Sequence, residues 1–195
     1  YRGGLNLLDM QSGESRLVIE NRYITIAEGA TFPDELFFPE TWSPDGTKLL
    51  VSIGWMEAGT YAILDVASGN LIYPTQEKAL CCSATWSQDS QSVYIASHYL
   101  GMLESGLWRF DAETGNVDTL LGNTEGDYYY AEWVLTLPNG DLQFFYNHSD
   151  TAIYIDQKLT MKMVRSASDG KTNRSEILPD EFTLSTVLWI PDGSQ

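Results

Sequence analysis

Histidine, serine and aspartate stand side by side at His148-Ser149-Asp150, the three residue types of a nucleophilic triad. A triad draws its members together from separate parts of a chain, and sequence neighbours cannot adopt that geometry. No G-x-S-x-G elbow supplies another nucleophile. Metal chemistry also lacks its usual ligands, since the chain has two histidines, His98 and His148, no HExxH and no EF-hand loop. No P-loop or dinucleotide-binding glycine pattern is present, so no cofactor is expected. Two cysteines, Cys81 and Cys82, are adjacent. Neighbours in a strand point to opposite faces, so the expectation is two small buried thiols rather than a bridge. Asn147-His148-Ser149 and Asn173-Arg174-Ser175 match the glycosylation acceptor pattern, which a chain of this size produces by chance.

What remains is recognition chemistry. Aromatic residues with flanking acids recur in the irregular segments: Phe32, Asp34 and Glu35; Trp55 and Glu57; His98, Tyr99 and Glu104. They continue with Asp127 and Tyr128 to Tyr130, then His148, Asp150, Tyr154 and Asp156. Aromatic area beside charge suits contacts to proteins or sugars. The candidate binding set is therefore Trp55, Glu57, His98, Tyr99, Glu104, Asp127, Tyr128, Tyr129, His148, Asp150 and Tyr154, with no catalytic residue and no metal ligand.

The elements that would position these residues are set by a repeat. Four segments share a tryptophan followed by a turn: ETWSPDGTKLLVSI, ATWSQDSQSVYIAS, AEWVLTLPNGDLQFFY and VLWIPDGSQ. Their tryptophans, Trp42, Trp86, Trp133 and Trp189, are spaced 44, 47 and 56 residues apart. A second motif interleaves, with Asp9, Asp65 and Asp111 each four residues before Gly13, Gly69 and Gly115. A weaker copy, MVRSASDGKTNRSEIL, follows in the fourth unit. Pro-Asp-Gly between apolar runs is a hairpin turn, and an Asp four residues before Gly can accept backbone N–H bonds at a corner that glycine closes. The flanking runs are short and rich in β-branched and aromatic residues, and helical periodicity is absent. Two units depart from the pattern: Gln88 and Ser90 replace the expected Pro and Gly, and Leu135 and Thr136 are inserted before the third turn.

Four antiparallel strands every 44 to 56 residues is the signature of a β-propeller blade. The repeated Trp-x-Pro-Asp-Gly with the later Asp-x-x-Ser-Gly resembles the WD-repeat-like family of TolB-type propellers over nearly the whole chain, most strongly at residues 40–72 and 84–121. An all-β fold is expected, with a partial blade at 1–20, blades near 36–75, 81–121 and 130–178, and a partial blade at 185–195. The final motif is cut within its hairpin, which predicts a piece of a larger ring. In such a ring the tight turns lie on one face and the variable loops on the other, where function is usually placed.

The resemblance implies a non-enzymatic scaffold holding peptides or protein partners, in a bacterial envelope or secreted. Two alternatives stand beside it. One is the substrate-gating propeller of a prolyl-oligopeptidase-type peptidase whose catalytic domain lies outside this chain. The other is a glycan-binding or glycan-cleaving propeller, for which two carboxylates would have to face each other across a channel.

Bulk properties agree with a globular domain: 43% hydrophobic and 19% charged residues argue against disorder. Net charge is −16, from 27 acidic against 11 basic residues, which repels nucleic acid and favours a cationic partner. No apolar run reaches the roughly 20 residues of a membrane-spanning helix. The opening YRGGLNLLDM lacks the basic start and apolar stretch of a signal peptide. An extracellular or periplasmic setting is the expectation, with the cytoplasm as the other option.

Overall fold

A computed structural model describes residues 3–25, 31–55, 58–75, 80, 82–97, 105–153 and 161–177. Among them there are only strands, turns and loops, arranged in four antiparallel sheets. The smallest pairs β1 (Gly4–Leu8) with β2 (Ser15–Glu20). The next runs β3 (Arg22–Thr25), β4 (Thr31–Trp42), β5 (Lys48–Trp55), β6 (Ala58–Asp65) and β7 (Leu71–Ile72) in sequence order. The third holds β8 (Ser83–Trp86), β9 (Ser92–Ser97), β10 (Gly106–Asp111) and β11 (Val117–Leu121). The fourth holds β12 (Tyr128–Thr136), β13 (Leu142–Ser149), β14 (Lys162–Ser166) and β15 (Asn173–Ile177). The first irregular segment is more ordered than a loop, since Arg22–Thr25 pair with Thr31–Glu35. Arg22 bonds Glu35 at 2.5 Å, and Tyr73 donates to the same carboxylate at 3.1 Å.

Alternation along each strand explains how the sheets stack. Successive side chains point to opposite faces, so a strand buried on both faces feeds two different cores. Val93, Ile95, Trp108 and Phe110 pack with Leu50 and Ile63 of the five-stranded sheet. Their neighbours Tyr94, Ala96 and Leu107 pack the other way, onto Ala131, Leu142, Phe144 and Val164 of the fourth sheet. Phe37, Val51, Ala62 and Leu64 turn toward Leu5, Leu7, Val18 and Ile19 of the two-stranded sheet. Each layer is thus an intersheet core built from every second residue.

Polar bonds stitch consecutive sheets at the inner strands. Trp86 Nε1 donates to the Thr41 carbonyl at 3.1 Å, and the Asp45 N–H donates to Ser90 Oγ at 3.1 Å. Farther along, the Val134 N–H donates to Ser83 Oγ at 3.0 Å. The insertion in the third tryptophan unit is absorbed by a bulge in β12 between Glu132 and Leu135, with Trp133 at φ 55°.

The turns are built as their residue types require. Asp65 Oδ1 accepts from the Ser68 N–H and hydroxyl, while the Gly69 N–H reaches the Asp65 carbonyl. Asp111 repeats this with Thr114, and Asp9 does so with the Gln11 and Ser12 N–H groups. The weak fourth copy differs: the Gly170 N–H closes onto the Ala167 carbonyl, the short turn that Gly46 makes onto Ser43.

One sequence expectation is corrected. Cys82 is disulfide-bonded, and the chain has only one other cysteine, Cys81, which lies outside the described residues. Cys82 precedes β8 with φ 96°, so the strand alternation invoked against a bridge does not apply to it.

Candidate functional site

The loop between β11 and β12 is short and tightly held. Thr124 and Asp127 exchange backbone bonds of 2.9 and 3.1 Å around Glu125 and Gly126, with Gly126 at φ 78°. Asn123 ties this turn to its surroundings: its Oδ1 accepts from the Tyr129 N–H and its Nδ2 donates to Ser105 Oγ just before β10, each at 2.7 Å. Asp127 is thereby fixed just before the strand that carries Tyr129.

Register does the rest. Tyr129 of β12 lies directly opposite His148 of β13, so their side chains emerge from the same face. The two rings stack with centroids 4.7 Å apart at 27°. His148 Nε2 bonds Asp127 Oδ1, and both side chains remain 44% exposed. The Tyr129 phenol is pushed above its ordinary value, first by burial and then by its bond to the Asp127 carboxylate. Two residues back along β13, Tyr146 continues the row at 6.2 Å from Tyr129, and Phe144 meets Tyr146 edge-on at 6.4 Å.

This aromatic row walls a cleft of about 500 Å³ between the third and fourth sheets. Leu120 and Leu121 close one side, Val164 contributes to the floor, and Gly170 and Lys171 come from the turn after β14. The volume falls in the range that small-ligand sites occupy, roughly 300–1,000 Å³.

Three of the residues singled out from sequence therefore meet: Asp127, Tyr129 and His148. Tyr128 does not join them. It alternates to the opposite face and packs with Tyr130, Phe145 and Met161. Asp150 follows the end of β13, is exposed, and accepts from the Thr151 hydroxyl at 3.1 Å. Trp55 ends β5, and its side chain is not among those described. Glu57, His98, Tyr99, Glu104 and Tyr154 lie outside the described residues.

Tyr146 and Lys171 escaped the sequence reading. Tyr146 was legible in principle, because it sits two residues from His148 and so shares its face. Lys171 belongs to a tight turn, whereas function is usually placed on variable loops.

Chemically the cluster joins two stacked rings to one carboxylate. A His–Asp pair is two-thirds of a triad, but Ser149 follows His148 on the opposite face and its Oγ accepts from the Thr151 N–H at 3.1 Å. Among the described residues no group of three or more His, Cys, Asp or Glu side chains could hold a metal ion. Among them, too, no helix is long and apolar enough to cross a membrane.

Comparison with known proteins places the fold. No protein-family model matches the chain, and no curated protein matches it. Solved structures do. A protein assigned as TolB from Agrobacterium tumefaciens is similar with a TM-score of 0.54 and 16% identity, over 80% of this chain and 60% of that one. An oligogalacturonate lyase from Vibrio parahaemolyticus is similar with a TM-score of 0.51 and 13% identity, over 85% of this chain and 44% of that one. The structural neighbours are thus TolB-like and other β-propeller proteins, and the all-β sheets described above are propeller blades. The chain spans about 60% of the length of the TolB structure and less than half that of the lyase.

Proposed function

We propose that this propeller is a non-enzymatic binding module, and that it holds a protein or peptide partner in the cleft beside Asp127, Tyr129 and His148. The observation that carries this reading is the stacked Tyr129–His148 pair bonded to Asp127 at the mouth of an open, aromatic-walled cleft. Amphipathic rings of this kind supply large contact area at low entropic cost. The net charge of −16 adds a field that steers basic partners toward the molecule. The same field disfavours an anionic glycan of the sort named for the lyase. An envelope or secreted setting fits the TolB-like fold and belongs to this proposal.

The test is selection of peptides from a random display library against the chain. Selected peptides are then titrated by fluorescence anisotropy against wild type and the double variant Tyr129→Ala/His148→Ala. Losing an aromatic anchor at a contact centre costs ~2 kcal/mol or more, so binding should weaken at least ~30-fold. The reading fails if selection yields no binder, or if the double variant binds every selected peptide as tightly as wild type.

A further inference from the structure

The cleft has a charge pattern that a generic peptide site would not need. Its lining includes one acidic and one basic side chain, Asp127 and Lys171, set among apolar and aromatic groups. On a chain of net charge −16, a lysine at the cleft gives a ligand anion a local partner that the rest of the molecule's field does not.

The turn that presents Lys171 leaves its side chain exposed. Asp169, the neighbouring acid, spends its hydrogen bonds on the turn, accepting from the Lys171 and Thr172 N–H groups at 2.8 Å each and from the Thr172 hydroxyl at 2.6 Å, and only its charge is felt by the Lys171 side chain. Among the described residues Lys171 forms no ion pair. Gly170 seats the turn against the neighbouring blade, since a Cβ there would lie 2.8 Å from Leu107 Cδ2 and 3.2 Å from Leu120 Cβ. The backbone that carries Lys171 is thus held beside the cleft by close packing. At Asp127, His148 and Tyr129 occupy part of the carboxylate, and an ionised carboxylate has about four acceptor sites, so capacity remains for a ligand N–H.

We infer that the cleft receives the free C-terminal end of a peptide: Lys171 pairs with the terminal carboxylate, the last side chain lies between Leu120 and Phe144, and Asp127 accepts from a donor farther along the ligand. An internal segment has no backbone carboxylate to offer. The inference rests on the peptide-binding reading and narrows it to chain termini, a recognised mode of capture.

The probe is a fluorescein-labelled hexapeptide pool, randomised at its last three positions and made with either a free or an amidated C-terminus. A charge-assisted hydrogen bond contributes about 1.5–3 kcal/mol, so the free-acid pool should bind wild type at least ~10-fold more tightly. Lys171→Met, which keeps an apolar stem at an exposed turn position, should erase that difference, and Lys171→Arg should retain most of it. Equal binding of the two pools to wild type overturns the inference, as does a difference that survives Lys171→Met. If the pools bind equally while selected peptides still require Tyr129 and His148, only the C-terminal assignment falls. If neither pool binds and selection fails as well, the peptide reading falls with it.

Discussion

Ser90 stands where the repeat calls for glycine, and it adopts the glycine conformation, φ 62° against 71° at the equivalent Gly46. An L-residue there costs roughly 1–2 kcal/mol relative to glycine. What offsets the strain is visible in the same side chain: buried Ser90 Oγ accepts the Asp45 N–H from the preceding blade. Replacement therefore separates two effects. Ser90→Gly relieves the strain and loses a bond worth about 1 kcal/mol, so it should be near neutral. Ser90→Ala keeps the strain, loses the bond, and should be at least about 1 kcal/mol less stable than Ser90→Gly. Urea midpoints for the two variants decide it, and equal midpoints would mean that the strain is absent. Strained residues and spare donors of this kind are invisible to composition. The sequence showed only that glycine was missing, because the compensating N–H belongs to a blade 45 residues away.

The tight turns make the elements pH-sensitive in a definite direction. Hydrogen bonds from Ser43 and Thr47 hold the Asp45 carboxyl down at about 2, and bonds from Thr172 and the Lys171 N–H do the same for Asp169. Asp65, Asp89 and Asp111 are lowered as well, by their own turn donors. A group whose folded value lies below its unfolded value contributes stability above the unfolded value, and loses it as pH falls through the folded one. For these turns the window runs from about pH 4 down to about pH 2. The melting temperature should therefore drop through that interval, and Asp45→Asn, which cannot titrate, should flatten the drop; an unchanged slope would sink the assignment. Asp65 and Asp111 were legible because the Asp-x-x-[Ser/Thr]-Gly spacing names the donor as well as the acceptor. Strand positions were equally plain from the apolar runs around Leu50, Ile95 and Leu107. The cleft was not. Asp127, Tyr129 and His148 could be nominated from their loop context, yet their convergence depends on the Tyr129–His148 register, which is a long-range fact. Tyr128 looked interchangeable with Tyr129 until alternation sent it to the other face.

At the scale of the whole molecule, stability should be graded from one end to the other. β9 is paired on both edges and buried in intersheet cores on both faces; β13 is also paired on both edges, with Leu142 and Phe144 in an intersheet core and Phe145 buried on its other face. The β1–β2 hairpin has no such support. It rests on partly buried Leu5, Leu7, Val18 and Ile19 and, among the described residues, on a bond from Arg16 Nη2 to the Val66 carbonyl, while Leu8 and Leu17 are more than half exposed. The repeated tryptophans report the same asymmetry. Trp86 is 5% exposed and bonded to the preceding blade, whereas its counterpart Trp42, on the side of the two-stranded sheet, is 46% exposed. Local opening follows buried contact and paired backbone. In hydrogen exchange on the intact chain, the amides of Leu5, Leu7, Leu17 and Ile19 should exchange first, well before those of Val93, Ile95, Phe144 and Tyr146. Slow exchange at β1 equal to that at β9 would show that the hairpin opens together with the rest as one cooperative unit, and the layered account of stability would have to be abandoned.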